Sequence, residues 1–315
     1  MEFRKLIKFG TNSYVISLPK SWIVSNKLEK GNTIYLENNA NQLLLSPEKI
    51  TNVPEEKEIT LDCRQDKLET IKRKIIAQYI NNCKIINIHF TSNEMAQHIR
   101  EIIQNLMALE IIEQSNDFIV AKDYLNMENV SIPSLIRKND TIIRSMLRDT
   151  NETLKQNSFF RNVELCDNIN SRDQDVNRIS FLIMRTVKYL VSNPEMRRDG
   201  SGFEYFNYYE LTQLLEKIGD ELKRTMRLLA AMDLKKANEL KELFDDIEKM
   251  YLDSMKAYYN KDVEMAYAVA TEKNPILEKH IDFLEKHNGQ PAIQLFEKLK
   301  LIIVTIHQIN RLTYQ

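Results

Sequence analysis

The sequence predicts a multidomain chain: a small β-rich head, a small α/β domain, and an all-α region filling the C-terminal half. Three observations lead there. Short apolar runs separated by turn residues occupy positions 1–46, and strand-like and helix-like patterns alternate over 57–130. From about residue 132 onward, apolar residues recur at the three-to-four spacing of amphipathic helices.

In the head, Phe3 to Phe9 reads as a strand, a turn follows at Gly10 to Ser13, and Tyr14 to Leu18 reads as a second strand. Pro19 closes that strand and pre-sets the first turn of a short helix from Lys20 to Ser25. A turn at Leu28 to Asn32 leads to two more strands, Thr33 to Leu36 and Gln42 to Leu45. Four short strands and one turn of helix bury little surface, so the head is expected to borrow core from a second chain. Pro47 to Glu58, with Pro54 inside it, reads as a polar linker.

The next unit has the order β-α-β-α-β-β. Its strands are Glu58 to Asp62, Cys83 to Phe90, Leu109 to Gln114 and Phe118 to Lys122. Its helices run from Lys67 to Tyr79, with Leu68, Ile71, Ile75 and Ile76 along one side, and from a Ser92 cap through Met95, Ile99, Ile102, Ile103 and Leu106. A small sheet covered by two helices is the expected result. No glycine-rich loop follows the first strand, which leaves a dinucleotide or P-loop site without support.

Pro133 opens the helical region, where helices are expected at about 134–157, 159–192, 203–232, 234–261, 262–288 and 290–313. Leu211, Leu214, Leu215, Ile218, Leu222, Met226 and Leu229 make one clean stripe on the third. Asn274-Pro275 predicts a kink or break in the fifth. Six helices with short connections suggest two three-helix bundles in tandem or one elongated bundle.

The composition narrows the function classes. The chain has 315 residues, of which 43% are hydrophobic and 28% charged, an ordinary globular mixture with room for two or three domains. No apolar signal segment follows the opening residues, and no apolar run is long enough to span a bilayer; the expectation is a cytoplasmic protein without membrane insertion. Three widely spaced cysteines, Cys63, Cys83 and Cys166, exclude a disulfide framework and a paired-cysteine zinc site. The five histidines form no His-x-x-x-His pair, and no serine sits in a nucleophile motif, so no enzyme is predicted. Net charge is −1 overall, yet residues 1–36 carry six basic and two acidic side chains, a net of +4. A basic head on an acidic remainder is the asymmetry that contact with a polyanion requires.

Two four-spaced pairs stand out in the helical region: Asp173 with Asn177, and Glu216 with Asp220. Such spacing stacks side chains on one helix face and can offer two oxygens to a hard cation; the alternative is a charged, solvated face. Helical-wheel positions place both pairs away from the apolar stripes, facing solvent, a subunit or a surface ion. The aromatic run Tyr205 to Tyr209, with Phe203 and Phe206, reads as bundle-end packing, with a contact surface as the alternative.

Arg172-Asp-Gln-Asp-Val-Asn-Arg178, Phe181-Leu-Ile-Met-Arg185 and Leu215-Glu-Lys-Ile-Gly-Asp-Glu221 resemble segments of the archaeal PhoU-like phosphate-uptake regulators, which are built from two three-helix bundles. The resemblance implies bundles over 132–232 and 233–315, and iron or zinc at Asp173, Asn177, Glu216 and Asp220. Asn177 stands where that family carries a carboxylate. The second bundle is degenerate, with Asn274 and Glu278, and Glu297 and Leu301, in the corresponding places. Arg4-Lys-Leu-Ile-Lys-Phe-Gly-Thr-Asn-Ser-Tyr-Val-Ile-Ser-Leu-Pro-Lys-Ser-Trp22 and Leu28-Glu-Lys-Gly-Asn-Thr-Ile-Tyr-Leu36 resemble the SpoVT-AbrB domain, a swapped hairpin in which two chains share one core. That resemblance implies a homodimer or higher oligomer and duplex DNA bound through Arg4, Lys5, Lys8, Asn12 and Lys20. Together the resemblances imply a DNA-binding transcriptional regulator of phosphate uptake; the alternative is an adaptor acting on a phosphate transporter or sensor protein, with the head serving only to dimerise.

Overall fold

The computed structural model describes residues 3–11, 13–39, 42–48, 57–156, 163–193, 196–197, 202–231, 237–286 and 289–314. It divides into two compact units, Met1–Glu55 and Glu56–Gln315. The chain is therefore a region of small sheets followed by a largely helical region.

The first unit contains β1 (Ile7–Phe9), β2 (Ser13–Val15), α1 (Lys20–Ser25), β3 (Tyr35–Asn39) and β4 (Gln42–Ser46). β1 and β2 form one antiparallel hairpin, with Lys8 opposite Tyr14, and β3 and β4 form another. Gly10, at φ +71°, supplies the left-handed residue of the first turn. α1 starts where Pro19 places it, because proline lacks an N–H and its fixed φ suits a helix entrance. β1 and β2 are shorter than the apolar runs from Phe3 to Phe9 and from Tyr14 to Leu18. No described side chain of this unit is buried. Asn12, and the linker apart from Pro47, Glu48, Lys57 and Glu58, lie outside the described residues.

In the second unit, β5 (Glu58–Asp62), α2 (Leu68–Ile80), β6 (Ile85–His89), α3 (Asn93–Gln104), β7 (Leu109–Gln114) and β8 (Phe118–Asp123) follow the expected order. The sheet order is β5-β6-β8-β7; β5 and β6 are parallel, and the other pairs antiparallel. Ser92 caps α3 by accepting the Met95 N–H at 3.2 Å. Ile71 and Ile75 of α2, Ile99 and Ile103 of α3, and Ile86, Ile88 and Ile119 of the strands close one core. Cys63 and Cys83 lie inside it, and burial pushes both thiols up, Cys63 to about 11.

The helical region comprises α4 (Ile132–Gln156), α5 (Val163–Ser192), α6 (Gly202–Ala231), α7 (Ala237–Asn260), α8 (Val263–Thr271), α9 (Lys273–Lys286) and α10 (Gln290–Tyr314). α4, α5 and α6 pack on one another; α7 packs on α4 and α10, and α10 packs on α6. One continuous apolar core runs from Ile132 to Leu312 and joins α4–α6 to α7–α10. The break expected at Asn274-Pro275 falls at Glu272. Pro275 has no N–H to give the carbonyl four residues back, so it is accommodated in the first turn of α9 and the chain breaks just before it. No described helix is long and apolar enough to cross a membrane.

One buried charge fastens the sheet layer to the helices. Arg185 of α5 is fully buried; its Nη1 donates to Asp123 Oδ1 at 3.1 Å and its Nη2 to Asp123 Oδ2. Its Nε donates to Asn82 Oδ1 at 3.0 Å, and the guanidinium carbon lies 4.4 Å from the Tyr79 ring centroid. Asn82 sits just past the end of α2 at φ +59°, the left-handed position that asparagine tolerates, and this aims its amide at α5. Lys84 Nζ donates to the second oxygen of Asp123 at 2.7 Å. Removing one partner of a buried pair strands the other charge, so Arg185→Leu is expected to cost about 3–5 kcal/mol in urea unfolding of the whole chain. A loss below about 1 kcal/mol would show that Lys84 alone satisfies Asp123.

Candidate functional site

The acidic pairs meet in the seam between α5 and α6. Asp173 is 3% exposed and Asp220 and Glu216 are half-buried, so the pairs lie in a helix–helix seam and not on an open face turned to solvent, a subunit or a surface ion. The wheel position was right for one helix alone; the neighbouring helix then covers that face. Lys223 holds the seam together. Its Nζ donates to Asp173 Oδ2 at 2.5 Å and to Asp220 Oδ1 at 2.7 Å. Arg224 Nη2 reaches the other oxygen of Asp220 at 3.2 Å. Asn177 Nδ2 donates to Asp173 Oδ2 at 3.4 Å, a weak contact. Gly219 faces the pair, and a Cβ there would stand 3.9 Å from Asp173 Oδ1. Asp173 Oδ1 and Asn177 Oδ1 are buried without a hydrogen-bond partner.

The titration directions follow from this geometry. Burial raises the Asp173 pKa, and Lys223 only partly opposes the shift. Burial also raises Glu216, reinforced by the charges of Asp220 and Asp173. Burial pulls Lys223 down, but its hydrogen bonds to Asp173 and Asp220 outweigh that and leave its pKa above the ordinary value. Lys223 is thus a fixed cation between two carboxylates.

That arrangement does not fit iron or zinc as it stands. The ammonium occupies the point at which Asp173 and Asp220 converge, and among the described residues no group of three or more histidines, cysteines or carboxylates is placed to hold a metal. A divalent ion would have to displace Lys223. The corresponding positions further along are no better: Asn274 and Glu278 are exposed on α9, and Glu297 is exposed on α10 with Leu301 a turn later.

Of the residues expected at DNA, Arg4 and Lys5 precede β1, Lys8 lies on β1 and Lys20 opens α1, all of them exposed. Sequence reasoning missed Lys223, although its signal was present, three residues beyond Asp220 and seven beyond Glu216 on the same face of α6. It also missed Arg185, whose signal was a lone arginine inside an apolar helix segment.

Compared with protein-family models, with curated proteins and with solved structures, the chain matches none.

Two outcomes test the seam. Lys223→Gln leaves Asp173 buried without its cation and is expected to cost about 3 kcal/mol at pH 7 by thermal or urea unfolding, with the loss shrinking on acidification. Glu216→Gln is expected to stabilise. A raised folded-state pKa means that the native state takes up the proton first, so ionised Glu216 opposes folding at neutral pH. The gain should fade as pH falls through the folded-state pKa and vanish below the ordinary 4.5. A pH-independent gain would assign the effect to packing rather than charge.

Proposed function

We propose that this chain is a homodimeric DNA-binding regulator of phosphate uptake, in which the first unit dimerises and contacts duplex DNA and the helical region relays phosphate status. The observation that carries this reading is a compact unit, Met1–Glu55, none of whose described side chains is buried. Phe3, Leu6 and Phe9 are 90%, 67% and 70% exposed, and Ile16, Val24, Leu36 and Leu43 also face solvent. Apolar surface of that extent calls for a cover, and a second copy with matching hairpins supplies one. The same unit presents Lys5, Lys8 and Lys20 to solvent. Residues 1–36 of two copies would together carry +8 while the remainder of each chain carries −5, so a duplex would be drawn to that part of the head. The phosphate assignment rests on the likeness of the α5 and α6 segments to the PhoU-like regulators.

Fluorescence anisotropy on labelled duplexes at several salt concentrations tests the proposal. Lys5→Ala with Lys8→Ala should weaken binding to every sequence alike and flatten the salt dependence by roughly 0.9 for each phosphate that is no longer neutralised. Arg4 or Asn12, if either reads a base edge, would when replaced cost about 1–3 kcal/mol of discrimination between a preferred site and random duplex. An unchanged affinity in a folded, dimeric Lys5/Lys8 variant would move the protein to the adaptor reading. In sedimentation, full-length protein at micromolar concentration should be at least dimeric, and deletion of residues 1–46 should weaken association; a full-length monomer would exclude the shared core.

A further inference from the structure

The aromatic run on α6 does more than pack the end of the bundle. Tyr205 is buried, as packing requires, but Phe203, Phe206 and Tyr209 are 58%, 56% and 42% exposed. Phe203 and Tyr208 line an open cavity of about 480 Å³, which is bounded on its other sides by the start of α4, the end of α7 and the end of α10. Tyr258 and Tyr259 of α7 stand on its wall with ring centroids 5.8 Å apart and planes at 69°. Four aromatic side chains therefore converge on one space large enough for a small ligand.

The charges around the cavity are unequal. Arg137 and Lys261 line it, both are exposed, and among the described residues neither has a carboxylate within ion-pair distance. The Arg137 guanidinium carbon lies 4.7 Å from the Tyr259 ring centroid, a stacked position that holds the group over the aromatic wall. Glu204 is the one carboxylate in the lining, and it already accepts the Tyr208 hydroxyl at 2.7 Å. Asn207 adds an amide with both donor and acceptor capacity. Rings that stack, an amide that can read polar ring edges and two cations without carboxylate partners together describe a partner with a flat heteroaromatic body and an anionic group.

We propose that this cavity binds a mononucleotide, with the base against Phe203, Tyr208 and Tyr258 and the phosphate on Arg137 and Lys261. Stacking on an aromatic ring tolerates any base, because every base has a π-face. The guanidinium gives the phosphate a planar, two-pronged donor, and the ammonium gives it a point charge. The site lies wholly within Glu56–Gln315, so it does not depend on the DNA reading of the first unit.

Isothermal titration calorimetry on the full chain, with adenosine monophosphate, adenosine and inorganic phosphate as separate probes, tests the assignment. The monophosphate should bind best, adenosine more weakly through stacking alone, and phosphate weakest. Arg137→Gln with Lys261→Gln should lower affinity for the monophosphate by about tenfold and leave adenosine unchanged, since the base is placed against Phe203, Tyr208 and Tyr258 and the two cations meet only the phosphate of the ligand. Phe203→Ala, a surface change that leaves the core intact, should weaken both nucleoside ligands by about tenfold. The Lys5/Lys8 variant of the first unit should keep wild-type affinity for the monophosphate. The proposal is overturned if the monophosphate binds no better than inorganic phosphate. It is equally overturned if binding survives both sets of cavity substitutions, or if it is lost in the Lys5/Lys8 variant, which would place the nucleotide on the head.

Discussion

A guanidinium buried in the interior sets the terms for the larger unit. Arg185 is placed mid-helix among apolar neighbours, and an arginine stays charged at any pH a protein meets. Its charge has to be answered on the spot, and the answer comes from Asp123 at the end of β8 and Asn82 at the end of α2. Both acceptors belong to the sheet layer. The layer is thus bound to α5 by a buried guanidinium that has its acceptors only there, and the two share one compact unit.

α5 carries this logic along its whole length. Towards α6 it offers Asp173, held by Lys223; towards α4 it offers Ser180, which accepts Asn139 Nδ2 at 3.1 Å; towards the sheet layer it offers Arg185. Each polar group points at a different neighbour, and each is buried. Apolar packing tolerates sliding by a fraction of a turn, whereas a buried hydrogen bond does not. The three anchors therefore fix the rotation and height of α5, and through it the register of the elements that pack on it.

Much of this was legible in the residues. The β-α-β-α-β-β order followed from alternating periodicities, and the short first helix followed from Pro19, because those signals are local. Partner-dependent features were not legible. The seam looked solvent-facing because a wheel shows one helix without the neighbour that covers it. Lys223 is itself the cation between the carboxylates, and a pattern of oxygen ligands does not point to it. The packing of α10 on α6 joins residues about 80 positions apart in sequence, for which no local pattern speaks. The chemistry of the candidate site was accordingly half visible: the carboxylates could be named, their occupant could not.

The buried thiols of the sheet layer have a practical consequence. Cys63 and Cys83 lie in the core of the sheet layer, with their pKa values raised by burial, so little thiolate is present to react near neutral pH. Alkylation must wait until the layer opens and the thiols regain their ordinary acidity. Cys166, on α5 and only partly covered, reports on its own surroundings instead. The chain thus carries two chemical clocks with different triggers, and the slower one keeps the time at which the core of the sheet layer opens.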